Sequence, residues 1–257
     1  MKKDIKKIVK EGYAKVAKQG TSCCSSGSCC SSSNNARDIS KIVGYSDDEM
    51  NTVPEGANLG LGCGNPVAIA SLKEGDVVLD LGSGAGFDAF LAARKVGKTG
   101  CVIGVDMTWE MLERARANAK KGGFDNVEFR SGEIEKLPVE DKVIDVIISN
   151  CVINLSPDKE TVFKEAFRVL KSGGRLMVSD LVLAKDLPKQ IKESVEAYVG
   201  CLAGAIRKDD YLGLIKRAGF QDIKVISESG YLVDAMFDNF EAASDAIVSI
   251  KVSAVKK

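Results

Sequence analysis

The sequence predicts an α/β protein: a doubly wound, Rossmann-like parallel sheet with an antiparallel last strand, preceded by an N-terminal helical and Cys-rich arm. Three observations lead there. Short apolar runs alternate with helical patterns from residue 77 onward, as in a sheet joined by right-handed crossovers and covered on both faces. The first apolar run leads directly into a glycine-rich turn that opens a helix. The second ends on an acid, Asp106.

Each element has its own signal. Residues 4–18 place Ile5, Ile8, Val9, Tyr13 and Val16 at helical spacing among lysines. The stretch GTSCCSSGSCCSSSNN, from Gly20 to Asn35, has the Ser and Gly content of a flexible loop. A short helix is expected over 39–49, with Ser46, Asp47 and Asp48 as nearby caps, and ANLGLGCGNP (57–66) then leads into the main domain. There VVLDLG (77–82), CVIGVD (101–106), VEFRS (127–131) and VIDVIISN (143–150) read as strands, with helices over 87–96 and 109–121 between the first three. The segment 156–171 reads as a helix with Ser156 as N-cap and Pro157 in its first turn. GGRLMVSDLVL (173–183) is the next strand. Helices are expected over 188–203 and 207–220, and strands over 222–229 and 247–255, the last as an antiparallel edge.

Composition removes whole classes of function. The 257 residues carry 36 Lys and Arg against 36 Asp and Glu, a formal charge of 0, which argues against a nucleic-acid or anionic-membrane binder. At 45% hydrophobic and 28% charged, the chain has enough apolar content for an ordinary core. No histidine is present, which excludes Ser-His-Asp and Cys-His catalysis and HExxH zinc sites. Against that absence stand eight cysteines: Cys23, Cys24, Cys29, Cys30, Cys63, Cys101, Cys151 and Cys201. The start, MKKDIKKIVKEG, has charge but no apolar run behind it, so no export signal is expected, and no apolar stretch has the length of a membrane span. A cytoplasmic protein is expected, whose reduced thiols act as ligands, redox groups or core residues.

The glycine turn, Gly82-Ser-Gly84-Ala-Gly86-Phe-Asp, lets backbone approach a ligand, and the helix start behind it offers amides. Asp106, 20 residues after Gly86, stands where a carboxylate accepts both ribose hydroxyls. Gly84-x-Gly86-x-x-Ala89 also fits a dinucleotide pattern, so a nicotinamide or flavin enzyme enters the comparison. Asp80, two positions before Gly82, completes D-x-G-x-G-x-G, which resembles the first motif of class I S-adenosylmethionine methyltransferases. The resemblance implies that the loop cradles the methionine part and that Asp106 holds the ribose. It also implies that Met107, Glu133 and Ile134 flank the adenine and that Asn150, at the end of the fourth strand, binds the cofactor as well.

Ligands in such sheets bind outside the C-terminal ends of the strands. Cys151 follows VIDVIISN and is therefore expected at the mouth of the site, whereas Cys101 begins its strand and is expected as a small core residue at the opposite end. Cys63 lies between glycines in LGLGCGNP, which suit close approach to a ligand or a sharp turn, and Cys201 lies in YVGCLAGAI after the fifth strand.

The cysteine-rich N-terminal stretch, GLGCGNP, LDLGSGAGFD, SNCVINLSPDK and YVGCLAGAI together resemble the arsenite S-adenosylmethionine methyltransferases, over roughly residues 8 to 220. The resemblance implies that Cys63, Cys151 and Cys201 hold trivalent arsenic, with Cys23 or Cys24 as a further thiol; Cys29 and Cys30 have no counterpart in the pattern. It also implies three parts: an arm over 1–55, an S-adenosylmethionine-binding core over 56–184, and substrate-covering helices with the last two strands over 185–257. The implied small-molecule substrate is a trivalent arsenic thiol complex. The chemistry is consistent: soft As(III) takes thiolates, and its lone pair attacks a methyl group without a general base. Methyl transfer formally oxidises the arsenic, so electrons are expected from thiols, with an external thioredoxin- or glutathione-like reductant as partner.

Other readings stay open at this level. A methyltransferase acting on a carbon or oxygen nucleophile, such as a quinone, shares the cofactor motifs. A thiol protein that sequesters or senses metalloids shares the cysteines but needs no Asp80, glycine loop or Asp106. CCSSGSCC itself reads as an arsenic-capturing arm, a tail of little role, or a metal site that lacks the usual C-x₂-C spacing.

Overall fold

The computed structural model describes residues 2–19, 32–231, 233 and 243–257. The low-complexity cysteines Cys23, Cys24, Cys29 and Cys30 lie outside the described residues. Seven strands form one sheet in the order β3-β2-β1-β4-β5-β7-β6. They are β1 (Val77–Leu81), β2 (Cys101–Asp106), β3 (Val127–Ser131), β4 (Ile144–Asn150), β5 (Leu170–Leu183), β6 (Gln221–Gly230) and β7 (Ile247–Val255). The pairs β1–β2, β1–β4, β2–β3 and β4–β5 are parallel, and β7 runs antiparallel to both β5 and β6. The expected doubly wound sheet with an antiparallel last strand is present. The last strand is not the edge, however: β7 inserts between β5 and β6, and β6 is the exposed border. Edge position depends on which partner offers a free strand, and alternation within β7 does not report that.

Alternation along β1 shows why both faces are covered. Val78 packs with Phe90 and Leu112, from helices α5 (Phe87–Val96) and α6 (Trp109–Gly122). Leu79 packs with Phe163 and Ile215, from α7 (Lys159–Val169) and α10 (Lys208–Arg217). Successive side chains leave a strand on opposite sides, so a strand with apolar side chains on both faces is stable only between two helical layers.

Before the sheet stand α1 (Lys2–Gln19), α2 (Ser32–Ile42), α3 (Asp47–Asn51) and α4 (Pro66–Ile69). The single helix expected over 39–49 is two helices, split by Gly44 at φ 106° and restarted by a capping box between Ser46 and Glu49. Ser156 does not cap α7. Asp158 does, accepting the Thr161 N–H, because a 3₁₀ turn over Ile153–Leu155 uses the preceding residues. The helix expected over 188–203 is two short ones, α8 (Lys189–Lys192) and α9 (Val195–Val199), and the turn after them carries Cys201 at φ 65°. Helix α1 packs against α6 and α9. It buries Val9 beside Cys63, Leu155 and Leu202, and Val16 beside Met111, so it roofs the C-terminal ends of the strands.

Candidate active site

A cleft of about 1100 Å³, mouth included, opens under α1 at the C-terminal ends of the strands. Its lining contains Asp80, Gly82, Gly84, Asp106, Met107, Ile134, Asn150 and Cys151 from the residues singled out in the sequence. Gly86, Glu133, Cys63 and Cys201 do not line it. Gly86 starts α5 at φ 96°, and a Cβ there would meet the rings of Phe90 and Phe129, so it shapes the turn from behind. Glu133 is ion-paired to Lys6 of the roof at 2.7 Å, while Glu135, 3.1 Å from the same Lys6, faces the cleft.

One wall is acidic. Asp106 accepts the Gly84 N–H at 2.9 Å and the Thr108 N–H at 2.8 Å, which joins the glycine loop to the end of β2. Burial raises its carboxyl above the ordinary value, and the amides around it hold the rise back. Asp80 is buried in β1, and burial followed by the charges of Asp88 and Asp106 pushes its carboxyl well up. Burial likewise lifts Asp88 to about 6, against the hydrogen bonds it accepts from Tyr45 at 2.6 Å and Asn150 at 2.9 Å. Asp80 Oδ2 and Ser83 Oγ are buried in this wall without a hydrogen-bond partner among the described residues.

On the other side Cys151 brings sulfur to the cleft, with Cys63 and Cys201 packed behind it. Cys63 and Cys151, 88 residues apart in sequence, are joined by a disulfide with their Cα atoms 5.8 Å apart. Cys201 is buried beside them, its Sγ donating to the Cys151 carbonyl at 2.7 Å. Both Cys151 (φ 56°) and Cys201 (φ 65°) hold left-handed backbone, a conformation that costs a non-glycine residue roughly 1–2 kcal/mol. Such residues concentrate at functional sites because the surrounding packing over-determines them. The three segments bearing Cys63, Cys151 and Cys201 therefore converge. Among the described residues, the group whose ligating atoms all lie within 4.8 Å of one another is a different one, Cys63, Cys151 and Asp180.

Asp180 was not singled out in the sequence, although a carboxylate inside the apolar run VSDLVL was the available signal. It is fully buried in β5 and accepts from Asn154 Nδ2 and the Leu181 N–H, each at 2.9 Å, and from the Tyr211 hydroxyl at 3.0 Å. Burial raises it to about 7. Tyr45 and Asp88 also escaped the sequence reading, since tertiary contact pairs them at the wall, as did Ser83, which lies within the glycine turn itself. Cys101 lies at the start of β2, opposite the cleft as expected, but it is exposed and not a core residue, the one exposed position of that strand.

A nucleotide-type cleft at the C-terminal ends of this sheet, opening from a D-x-G-x-G-x-G turn, defines a class I methyltransferase. A family model described as a methyltransferase domain matches residues 72–219. The chain is 46% identical over 229 residues to an arsenite methyltransferase of Halobacterium salinarum, covering 86% of this chain and 59% of that protein. It is 36% identical over 226 residues to the human arsenite methyltransferase, covering 84% and 58%. The crystal structure of an arsenic(III) S-adenosylmethionine methyltransferase from Chlamydomonas reinhardtii superposes with a TM-score of 0.67 at 35% identity, over 87% of this chain and 73% of that one. The chain belongs to the arsenite S-adenosylmethionine methyltransferase family. It spans little more than half the length of the curated relatives it matches.

Proposed function

We propose that this chain transfers a methyl group from S-adenosylmethionine to trivalent arsenic held by cysteine thiolates, with an external thiol reductant. The observation that carries this reading is the meeting of Cys63 and Cys151 beside the cleft, with Cys201 against them. Soft thiolates are the ligands that As(III) selects, and in a chain without histidine the sulfur wall is where such a substrate would sit.

The acidic wall fits the cofactor. The partnerless Asp80 Oδ2 and Ser83 Oγ, and three adjacent carboxylates, suit a ligand with positive charge and hydroxyl donors. Asp106 would accept the ribose hydroxyls, the Gly82–Gly84 loop and Asp80 would hold the methionine part, and Met107 and Ile134 would flank the adenine. When bound, the cofactor supplies an electrophilic methyl on a sulfonium. Gly86 sets the turn, and the Lys6–Glu133 pair ties α1 to the adenine wall. Val9 and Leu155 keep water from the sulfurs. The thiolates hold the arsenic as substrate with its lone pair free. The oxidised pair fits the electron balance: two thiolates closing to a disulfide return the two electrons that methylation removes from arsenic, and an added thiol reductant reopens them.

The test is methyl transfer from labelled S-adenosylmethionine to arsenite with a thiol reductant, comparing wild type with Cys151→Ser. Methylated arsenic from wild type alone is expected, with cofactor binding kept in both. Cofactor binding by both proteins without methylated arsenic from either would overturn the substrate and turn the search to carbon and oxygen nucleophiles such as quinones.

A further inference from the structure

We infer that Asn150 is a positioning residue for the thiol site: its carboxamide grips Gly62-Cys63-Gly64 and thereby sets Cys63 against Cys151. The inference rests on the reading that these two sulfurs hold the substrate. All three residues of the segment rest on that one side chain. The space a Cβ on Gly62 would need is taken by the Asn150 carboxamide. The Cys63 N–H donates to Asn150 Oδ1 at 3.0 Å, and Asn150 Nδ2 donates to the Gly64 carbonyl at 2.8 Å. The glycines flanking Cys63 thus admit close approach to the protein itself, since a Cβ on Gly64 would in turn strike the Ser179 hydroxyl.

The carboxamide has one orientation. The Tyr45 hydroxyl commits its hydrogen to Asp88 Oδ1 at 2.6 Å, so towards Asn150 it presents an oxygen, 2.8 Å from Nδ2. Asp88 Oδ2, at 2.9 Å, is a second acceptor on the same side. With acceptors fixed on the Nδ2 side, Oδ1 must face the Cys63 amide. The backbone of Asn150 continues directly into Cys151, whose N–H donates to the Ser179 carbonyl at 2.9 Å. One residue therefore carries one thiol on its own chain and holds the other through its side chain. Ser249 Oγ, donating to the Cys63 carbonyl at 2.8 Å, closes the segment from behind. A dithiol assembled this way meets a thiophilic ligand already in register, so little conformational entropy is lost on chelation. Through Asp88 the same side chain links the acidic wall to the sulfur wall.

The test reads the two sulfurs directly in the full-length chain. Disulfide plus two glutathione thiols gives the two cysteine thiols plus glutathione disulfide. This equilibrium is set in glutathione buffers, and the Cys63–Cys151-linked peptide is quantified by mass spectrometry after alkylation. Asn150→Ala removes every contact. Asn150→Asp, of the same size, keeps an acceptor for the Cys63 N–H but loses the donor to Gly64 and sets a carboxylate against Asp88. In both, the disulfide should be at least tenfold easier to reduce, about 30 mV for this two-electron couple. Adding Asp88→Asn to Asn150→Asp restores a donor–acceptor pair and should return the equilibrium towards wild type, which loss of packing alone would not do. A folded Asn150→Asp protein within threefold of wild type overturns the inference, as does a double variant no nearer to wild type than Asn150→Asp. Absence of arsenic methylation by the wild type, with a sulfur equilibrium that still responds to these variants as expected, counts against the proposed function and leaves the positioning role standing.

Discussion

The acidic wall over β1 and β2 and the sulfur wall over β4 and β5, which reaches the cleft through Cys151, draw on the chain in opposite ways. Asp80, Gly82, Gly84 and Asp106 come from one strand–turn–helix–strand unit, and the Gly84 N–H closes on Asp106 within it. The sulfur wall needs the loop before β1, the end of β4, the middle of β5 and the turn after α9, with its first link spanning 88 residues. A contiguous unit closes its loop at small entropic cost, whereas a site gathered from four segments exists only when the whole sheet and its roof are in place. The cofactor wall should therefore tolerate disturbance that the sulfur wall does not.

The largest expected separation of the two walls is Cys151→Ser, which should leave methylation below about a thousandth of wild type while calorimetric cofactor binding stays within threefold. Matched losses of both would mean the walls are not independent. Asp106→Ala is the converse. Losing hydrogen bonds to a charged acceptor should weaken cofactor binding by roughly ten- to a hundredfold, about 1.5–3 kcal/mol, with arsenite affinity unchanged. Unchanged cofactor affinity would remove Asp106 from the wall.

A smaller effect comes from pH. Burial raises Asp88 to about 6, so the folded chain holds its proton more tightly than the unfolded chain does. The stability this contributes is fully present below the ordinary carboxyl value near roughly 4 and is lost as pH rises through about 6. A sulfonium ligand prefers the ionised wall, so cofactor affinity should rise over the window in which the cofactor-free melting temperature falls. Asp88→Asn should flatten both profiles; a slope that persists in either places the titration on another group, Asp80 being the nearest candidate. The smallest effect is Cys101→Ser. At the exposed start of β2, it should change stability by no more than about 0.5 kcal/mol and leave turnover intact. A lost activity would mean that the far end of the sheet communicates with the cleft.

Much of the acidic wall was legible because strand, glycine turn and strand-end acid follow one another in sequence. Asp88 and Tyr45 were not, since their pairing joins an ordinary helical position to the loop between α2 and α3. Helix limits failed where local signals competed. Ser156 is a good N-cap type, but the 3₁₀ turn before it hands the role to Asp158, and the periodicity of 188–203 hides a break between α8 and α9. The exposure of Cys101 was missed because strand position says which end of the sheet a residue occupies, not whether a helix covers it there.

By itself the sequence determined the parallel sheet, the antiparallel last strand and the wall that follows from D-x-G-x-G-x-G and Asp106, because strand and helix patterns are local and the wall's motif lies within one strand–turn–helix–strand unit. Only the tertiary structure decided that β7 lies inside β6, that Asp180 and not Cys201 completes the compact group with Cys63 and Cys151, and that Asn150 holds Cys63 in place. The physical reason is register: which side chains meet across strands and loops is set by how layers pack, and that information is spread over the whole chain.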